Sequence, residues 1–190
     1  NWAYSAGQGY TADGTATPPA TRLIRGGSMQ VVSQVEQSTG IGAGTYTTKY
    51  AYWNAKQDTT GRGFLGFATV KATDSRNDLV TETQYNQTFP YIGRTEKVTV
   101  WNGSNKVSES DPDWTKNSVA GVADSNHTAG QYHFVHLDQQ VDTEYEVDTE
   151  GSYNGQLVRT VTRDTTFASP NDWDYTQGAP RPETVTVTPA

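Results

Sequence analysis

The most regular stretch of the chain reads Val141-Asp142-Thr143-Glu144-Tyr145-Glu146-Val147-Asp148. Val141, Thr143, Tyr145 and Val147 share one parity, and a carboxylate occupies every position of the other parity. Side chains along a β-strand alternate between the two faces of a sheet, so this pattern predicts a strand with one less polar face and one charged face.

The segment that follows carries the opposite charge. Asn154-Gly155 is a dipeptide typical of tight hairpin turns, because both residues tolerate positive φ, and Arg159 and Arg163 come soon after it. Facing opposite charges would fix the register of this hairpin at roughly 0.2–1 kcal/mol per pair. Sequence alone leaves open whether the carboxylates and the arginines share a face.

The same alternation recurs through the chain and predicts an all-β fold of about ten strands, joined largely by hairpins. Strands are predicted within 29–35, 46–52, 81–89, 96–101, 132–136, 157–167 and 184–188, with a return strand at 105–110 after the Asn102-Gly103 turn. Residues 1–20 are predicted to be an N-terminal tail or linker. Residues 21–190 are predicted to form one antiparallel sheet, with a polar loop at 111–129 as a possible sub-boundary.

The composition supports strands with a hydrated face. Only 33% of the 190 residues are hydrophobic, yet the chain contains eleven Tyr, five Trp and five Phe, whereas disordered chains are poor in aromatic residues. The absence of cysteine excludes disulfide scaffolds and cysteine-based zinc sites. A net charge of -7 without a basic patch argues against nucleic-acid partners. No apolar run is long enough to span a bilayer, so membrane insertion by this segment is not expected.

Residues 64–70 form an apolar run that follows the glycines of 61–63. Phe64 to Val70 predicts a strand buried on both faces, and 73–78 predicts the turn after it. Gly61, Gly63 and Gly66 have spacing like that of a dinucleotide-binding loop, but no helix follows, so a bulge or a close backbone approach is the better interpretation.

Catalytic and ligand sites are weakly indicated. His133 and His136 differ in parity, which makes them a poor metal pair, and His127 lies in a polar stretch. The acidic residues lack the spacing of a calcium loop. No serine-nucleophile motif is present. We therefore expect no catalytic residues, no metal and no cofactor. Aromatic rings can stack on sugars, so Trp53, Trp101, Trp114 and Trp173 are the candidate residues of an alternative function, a secreted carbohydrate-binding or adhesin-type module.

Two neighbouring motifs carry a resemblance to a known family. The first is Gly61-Arg62-Gly63-Phe64-Leu65-Gly66-Phe67, preceded by Tyr50-Ala51-Tyr52. The second is Thr81-Glu82-Thr83-Gln84-Tyr85-Asn86-Gln87-Thr88-Phe89-Pro90-Tyr91-Ile92-Gly93. Together they resemble a stretch of the B subunits of insecticidal toxin complexes (Tc toxins) and related SpvB and Rhs/YD-repeat proteins. The specific part of the resemblance covers residues 29–93.

The resemblance implies a structural function. In that family, β-hairpins build a large curved sheet that closes into a hollow shell around a toxic C-terminal domain. This chain would be a non-catalytic wall segment of a secreted or cell-surface bacterial protein. Its partners would be the remainder of the shell and the toxin cargo, and open sheet edges would favour self-association. In such a wall, one set of aromatic residues is expected to be buried between strands or against an adjacent layer: Tyr46, Tyr50, Tyr52, Phe64, Phe67, Tyr85 and Phe89.

Overall fold

A computed structural model of the chain describes residues 12–13, 21–24, 29–40, 42–118, 133–147, 151–165 and 183–189. Within these ranges the chain forms strands and turns and contains no helix, as the alternating sequence predicts. In chain order the strands are β1 (Ala12–Asp13), β2 (Thr21–Leu23), β3 (Gln34–Ser38), β4 (Thr45–Asp58), β5 (Gly63–Asp74), β6 (Leu79–Tyr85), β7 (Thr95–Asn102), β8 (Asn105–Ser118), β9 (His133–Tyr145), β10 (Leu157–Thr165) and β11 (Glu183–Pro189).

All the described strands belong to one antiparallel sheet. From β4 to β11 each strand pairs with its neighbour in sequence. On the other edge of β4, β2 pairs with its C-terminal end and β3 with its N-terminal end, and β1 extends β2. This order follows from the turn-forming dipeptides, because a strand that ends in a tight turn pairs at once with the strand that follows. Asn102 and Asn105, which flank Gly103-Ser104, are register partners in the tightest hairpin.

The sheet is a single layer, and it buries little. Among the described residues, the buried apolar side chains are Ala55 and Leu65, at 2% and 4% exposure. Leu65 lies in the apolar run that was predicted to be buried on both faces, but Phe64 in the same run is 49% exposed. The prediction of double-sided burial was therefore wrong for the run as a whole, because no second layer of the described chain covers either face.

The aromatic residues are also only partly buried. Phe64 and Phe89 are 49% and 48% exposed, and the other aromatic residues that were expected to be buried (Tyr46, Tyr50, Tyr52, Phe67 and Tyr85) are half-buried. The expected burial of this set was wrong for the chain on its own.

Several boundaries also differ from the predicted ones. The loop predicted at 111–129 was wrong for residues 111–118, which continue β8 and pair with β9. Polar side chains are tolerated there because a single-layer sheet does not remove them from water. The strand predicted at 81–89 ends at Tyr85. The predicted strand at 29–35 begins only at Gln34, and all five residues of β3 are exposed. Within the predicted tail, Ala12–Asp13 pairs with β2.

No helix in the described ranges has the length and apolarity needed to cross a membrane.

Candidate functional site

The Gly61–Phe67 motif forms a β-bulge between β4 and β5. Ala55 pairs with Phe67, and Gln57 pairs with Phe64, so three steps along β5 match two steps along β4. Gly66 lies inside this interval with φ of +89°, a conformation that side chains disfavour. A Cβ atom at Gly66 would meet no atom within 4 Å. The predicted bulge is confirmed, and the glycine serves a backbone conformation rather than a close approach.

Gln87, which lies in the turn after β6, makes two hydrogen bonds to the backbone at the bulge. Its Nε2 atom donates to the carbonyl oxygens of Asn54 and Gly66, at 2.9 and 2.8 Å. Asn54 itself has a positive φ of 55°. A single side chain therefore holds carbonyl groups from both strands at the point where the regular ladder is interrupted.

The second motif is a compact turn that presents Gln87. Asn86 N–H donates to the Arg94 carbonyl at 2.8 Å, and Gly93 N–H donates to the Asn86 carbonyl at 2.9 Å. Tyr91 N–H donates to the Thr88 carbonyl inside this turn, at 2.8 Å. The turn joins β6 to β7 just beyond Tyr85 and Thr95, the last register partners of the two strands.

Arg62 connects the two motifs. Its guanidinium carbon lies 4.1 Å from the centre of the Phe89 ring, and its Nη1 atom lies 3.4 Å from Asp58 Oδ2. Asp58 is buried at 7% exposure and accepts hydrogen bonds from both the hydroxyl and the backbone N–H of Thr60, each at 2.6 Å. The Thr60 hydroxyl is the main reason that the pKa of Asp58 lies below its ordinary range.

These groups surround an open cavity of about 340 Å³. Its lining is mixed, with Leu65 and Phe89 beside Asp58, Lys56 and Gln87. The centre of the Phe67 ring lies 4.8 Å from that of Tyr52 and 5.6 Å from that of Phe64. The Tyr52 hydroxyl donates to the Val32 carbonyl at 2.9 Å, and burial raises the pKa of Tyr52. The motif residues therefore form a structural junction.

One face of the sheet, here called the Lys–Glu face, carries ion pairs across successive strands. Lys71 lies 2.8 Å from Glu82. Glu109 contacts Lys106 at 2.8 Å and Lys97 at 3.3 Å. The hydrogen bonds from Lys71 and from Lys106 are the largest causes that lower the pKa of Glu82 and of Glu109.

The opposite face, here called the valine face, is less charged in its central part. The register places two rows on it: Tyr50, Ala72, Thr81, Val100 and Ser108, and next to them Tyr52, Val70, Thr83, Val98 and Ser110. Toward β10 these rows continue into ion pairs between Arg159 and Glu144 and between Arg163 and Asp142. The two faces of this sheet therefore differ in chemistry.

Of the four tryptophans that were singled out, the three that the structure describes lie on three different strands, Trp53 on β4, Trp101 on β7 and Trp114 on β8. A cation lies over each described ring: Lys71 at 5.5 Å from Trp53, Lys106 at 5.9 Å from Trp101, and Arg94 at 4.8 Å from Trp114. Trp53 is on β4 and Trp101 on β7, three strand spacings apart, which is roughly 14 Å. Trp114 Nε1 donates to the Thr95 carbonyl at 2.7 Å. Trp173 lies outside the described residues.

The titratable groups form no metal cluster in the described part of the chain, where no set of three or more His, Cys, Asp or Glu side chains converges. His136 is buried at 7% exposure on β9, and desolvation lowers its pKa. His127 lies outside the described residues. The residues that sequence reasoning missed are Gln87 and Asn54, because nothing in the alternation pattern indicates which polar side chain will cap a bulge.

Comparisons with known proteins agree with the resemblance. Residues 14–93 match the family model described as the middle/N-terminal region of the insecticide toxin TcdB. The fold is similar to the crystal structure of TcdB2-TccC3-Cdc42, with a TM-score of 0.53 and 11% identity over 72% of this chain and 10% of that chain. It is also similar to the crystal structure of TcdB2-TccC3, with a TM-score of 0.50 and 12% identity over 69% of this chain and 10% of that chain. No curated protein sequence matches significantly.

The chain is thus similar in sequence to the middle/N-terminal region of the insecticide toxin TcdB over residues 14–93, and similar in fold to part of the TcdB2-TccC3 structures over a larger part of its length. It spans about a tenth of the length of the solved chains that it matches.

Proposed function

We propose that this chain is a non-catalytic wall segment of a β-sheet shell that encloses the toxic cargo of a secreted, bacterial, Tc-toxin-like complex. The observation that carries the proposal is the single layer, in which the described strands bury only two apolar side chains. A self-contained β domain buries one apolar face against a second layer. A wall has a different task, which is to separate two compartments.

The order of the strands supports this role. A sheet in which each strand from β4 onward pairs with the next in sequence can be extended hairpin by hairpin. The partners proposed for this segment are accordingly the remainder of the same shell and the cargo inside it. The isolated segment is proposed to self-associate through its open edges, because unpaired strand edges accept other strands.

The difference between the two faces also supports a wall. A sheet that separates a lumen from solvent presents a different environment to each face. Here the Lys–Glu face carries the ion pairs centred on Glu82 and Glu109, and the valine face carries Val70, Val98 and Val100. We propose that only one of these faces is accessible from outside in the complete assembly.

Labelling of paired cysteine variants tests the proposal. The chain contains no cysteine, so Thr83→Cys reports on the valine face and Thr69→Cys reports on the Lys–Glu face of the adjacent strand. Both threonines are half-buried. In the full-length protein, with other cysteines removed, a large maleimide reagent should label one position quickly and the other only after denaturation. Equal labelling of both positions in the intact assembly would refute the wall.

The same proposal assigns no catalytic activity to the segment. Arg and Lys side chains pair with the half-buried carboxylates Glu82, Glu109 and Asp142, so these carboxylates serve as pairing groups. The isolated chain is expected to show no hydrolytic, transferase or redox activity. Turnover of a polysaccharide or an ester that disappears on mutation of a single Asp, Glu or His would overturn this assignment.

The alternative function, carbohydrate binding, would rest on tryptophans whose described rings already stack against cations. A glycan array run with the wild-type chain and with the Trp53, Trp101, Trp114 and Trp173 alanine variants discriminates the two functions. Glycan binding that is lost in these variants would favour the binding module over the wall.

A further inference from the structure

Strand pairing between β7 and β8 stops before either strand ends. The last register partners at this end of the ladder are Val98 and Ser110. Beyond this pair β7 extends to Thr95 and β8 extends to Ser118, so both strands are present and described where their pairing has stopped. From there on, β8 keeps its pairing with β9. The interruption is therefore internal to the sheet and does not lie at one of its edges.

The neighbouring ladders are irregular at the same level. Glu96 is skipped in the register between β6 and β7, and Asp138 is skipped in the register between β8 and β9. Pro112 stands at the position of β8 that would face Glu96 if the register between β7 and β8 continued. Proline has no N–H group to donate to a ladder and is found in sheets at edges and bulges, and bulges bend the strands that carry them. A line of interrupted pairing thus crosses β7, β8 and β9.

Side chains connect β7 and β8 where the backbone ladder has stopped. Trp114 Nε1 donates to the Thr95 carbonyl oxygen at 2.7 Å, and the guanidinium carbon of Arg94 lies 4.8 Å from the centre of the Trp114 ring. Lys97 Nζ lies 3.3 Å from Asp111 Oδ2. Asp111 is 55% exposed, and ion pairs that are open to water contribute little to stability. Trp114 is therefore the main connection between the two strands at this level.

We propose that the line of interrupted pairing is a hinge and that Trp114 is the latch that holds it closed. When the indole leaves the Thr95 carbonyl oxygen, the part of β8 beyond Ser110 swings away from β7, and the segment of β9 that is paired with it moves along. The change in backbone angles is confined to Asp111–Asp113 on β8 and to the bulge at Asp138 on β9, as is usual for hinges. The inference concerns the sheet itself and does not depend on the shell function.

Distances between paired spin labels test the hinge. The chain contains no cysteine, so Thr88→Cys and Lys116→Cys place one label in the turn before β7 and one on β8 beyond the hinge, both at exposed positions. Double electron–electron resonance, with the labelled chain diluted in unlabelled chain, measures the distance within one molecule. With Trp114 intact, the distribution should be single and narrow.

Removal of the latch should lengthen this distance. Trp114→Ala should add a population that is longer by about one strand spacing, roughly 5 Å. Trp114→Phe keeps a ring under Arg94 but loses the N–H donor, so it should show a smaller fraction of the same population. Trp101→Ala, in the paired part of β7, is the matched control and should leave the distribution unchanged.

A second pair of labels separates a hinge from general unfolding. Thr45→Cys and Ser104→Cys lie at exposed positions at the end of the sheet away from the hinge. Their distance should be the same with and without the Trp114 substitutions. An unchanged distance between labels 88 and 116 in Trp114→Ala would overturn the proposal. Lengthening of both label pairs would overturn it as well, because the whole sheet would then have loosened.

Discussion

Arg159 on β10 holds Glu144, its register partner on β9, in a two-pronged hydrogen-bonded ion pair. Arg159 Nε lies 2.8 Å from Glu144 Oε2, and Nη2 lies 2.6 Å from Oε1. This contact answers the question that the sequence left open, because it puts the carboxylates of one strand and the arginines of the next on the same face. Arg163 and Asp142 form a second pair on that face, further along the two strands.

Exchanging the charges of both Arg159 and Glu144 is expected to be tolerated, whereas reversing the charge of Arg159 alone is expected to destabilise the chain. Arg159→Glu places two carboxylates opposite each other and should lower the urea midpoint of unfolding, because facing like charges destabilise a strand pair. The double variant Arg159→Glu with Glu144→Arg should recover most of the loss. Both side chains are about half exposed, so the changes should shrink in high salt. A double variant as unstable as the single one would show that the pair does not set the register.

Gly66→Val is expected to destabilise the chain by about 1–3 kcal/mol, the usual cost of a residue held in a sparsely populated backbone conformation. The cost is conformational, because a Cβ atom at Gly66 would contact nothing within 4 Å. Gly63→Val should behave in the same way, since Gly63 has φ of +74°. Gly66→Asn should be milder, because Asn tolerates this region better. Asp113→Ala, at an exposed position of β8, is the control and should be nearly silent in thermal melts.

Gln87→Ala is expected to cost about 0.5–1.5 kcal/mol, the usual net value of a hydrogen bond, because it removes the donor shared by the Asn54 and Gly66 carbonyls. Gln87→Glu should be no better, since a carboxylate cannot donate to either carbonyl. Combining Gln87→Ala with Gly66→Val should give less than the sum of the two losses, because both variants disturb the same bulge. Strictly additive losses in denaturant titrations would show that Gln87 and the bulge are independent.

The alternation of apolar and polar residues along the sequence was sufficient to predict most of the strands. The hairpin at Asn102-Gly103, the turn at 73–78 and the last strand lie where the pattern predicts them. These features depend on neighbouring residues only, so the sequence expresses them directly. Asn154-Gly155 lies in the connection between β9 and β10, but the strand predicted at 141–148 ends already at Tyr145, so the connection is longer than a tight turn. The bulge at Gly66 was also predicted, because a glycine inside an apolar strand commonly marks a bulge or a close backbone approach.

Burial could not be predicted in the same way. An apolar run such as Phe64–Val70 ordinarily indicates two covered faces, and the inference fails here because no second layer of the described chain covers the sheet. The extension of β8 through 111–118 was missed for a related reason: a strand without a buried face needs no alternation of apolar and polar residues. Gln87 was missed because its partners are carbonyl groups, which carry no side-chain signal.

Acid is expected to destabilise the chain through the Lys–Glu face. The pKa values of Glu82 and Glu109 are lowered in the folded state, so the folded chain binds protons more weakly than the unfolded chain at these two sites. Their contribution to stability is complete above the unfolded carboxyl pKa of about 4.3, and it is lost as pH falls through the lower folded values. The free energy of unfolding should therefore decrease below about pH 4.3.

Glu109→Gln tests this assignment at the carboxylate that pairs with both Lys97 and Lys106. At neutral pH the variant should be less stable by about 0.5–1 kcal/mol, the usual value of a partly exposed ion pair. Below about pH 4.3 its stability should approach that of the wild type, because protonation of Glu109 then removes from the wild type the charge that the substitution removed from the variant. Glu96→Gln, at an exposed position of the same strand as Lys97, is the control and should follow the wild-type curve. Urea titrations from about pH 2.5 to 7 would contradict the assignment if the wild-type and Glu109→Gln curves stayed parallel throughout.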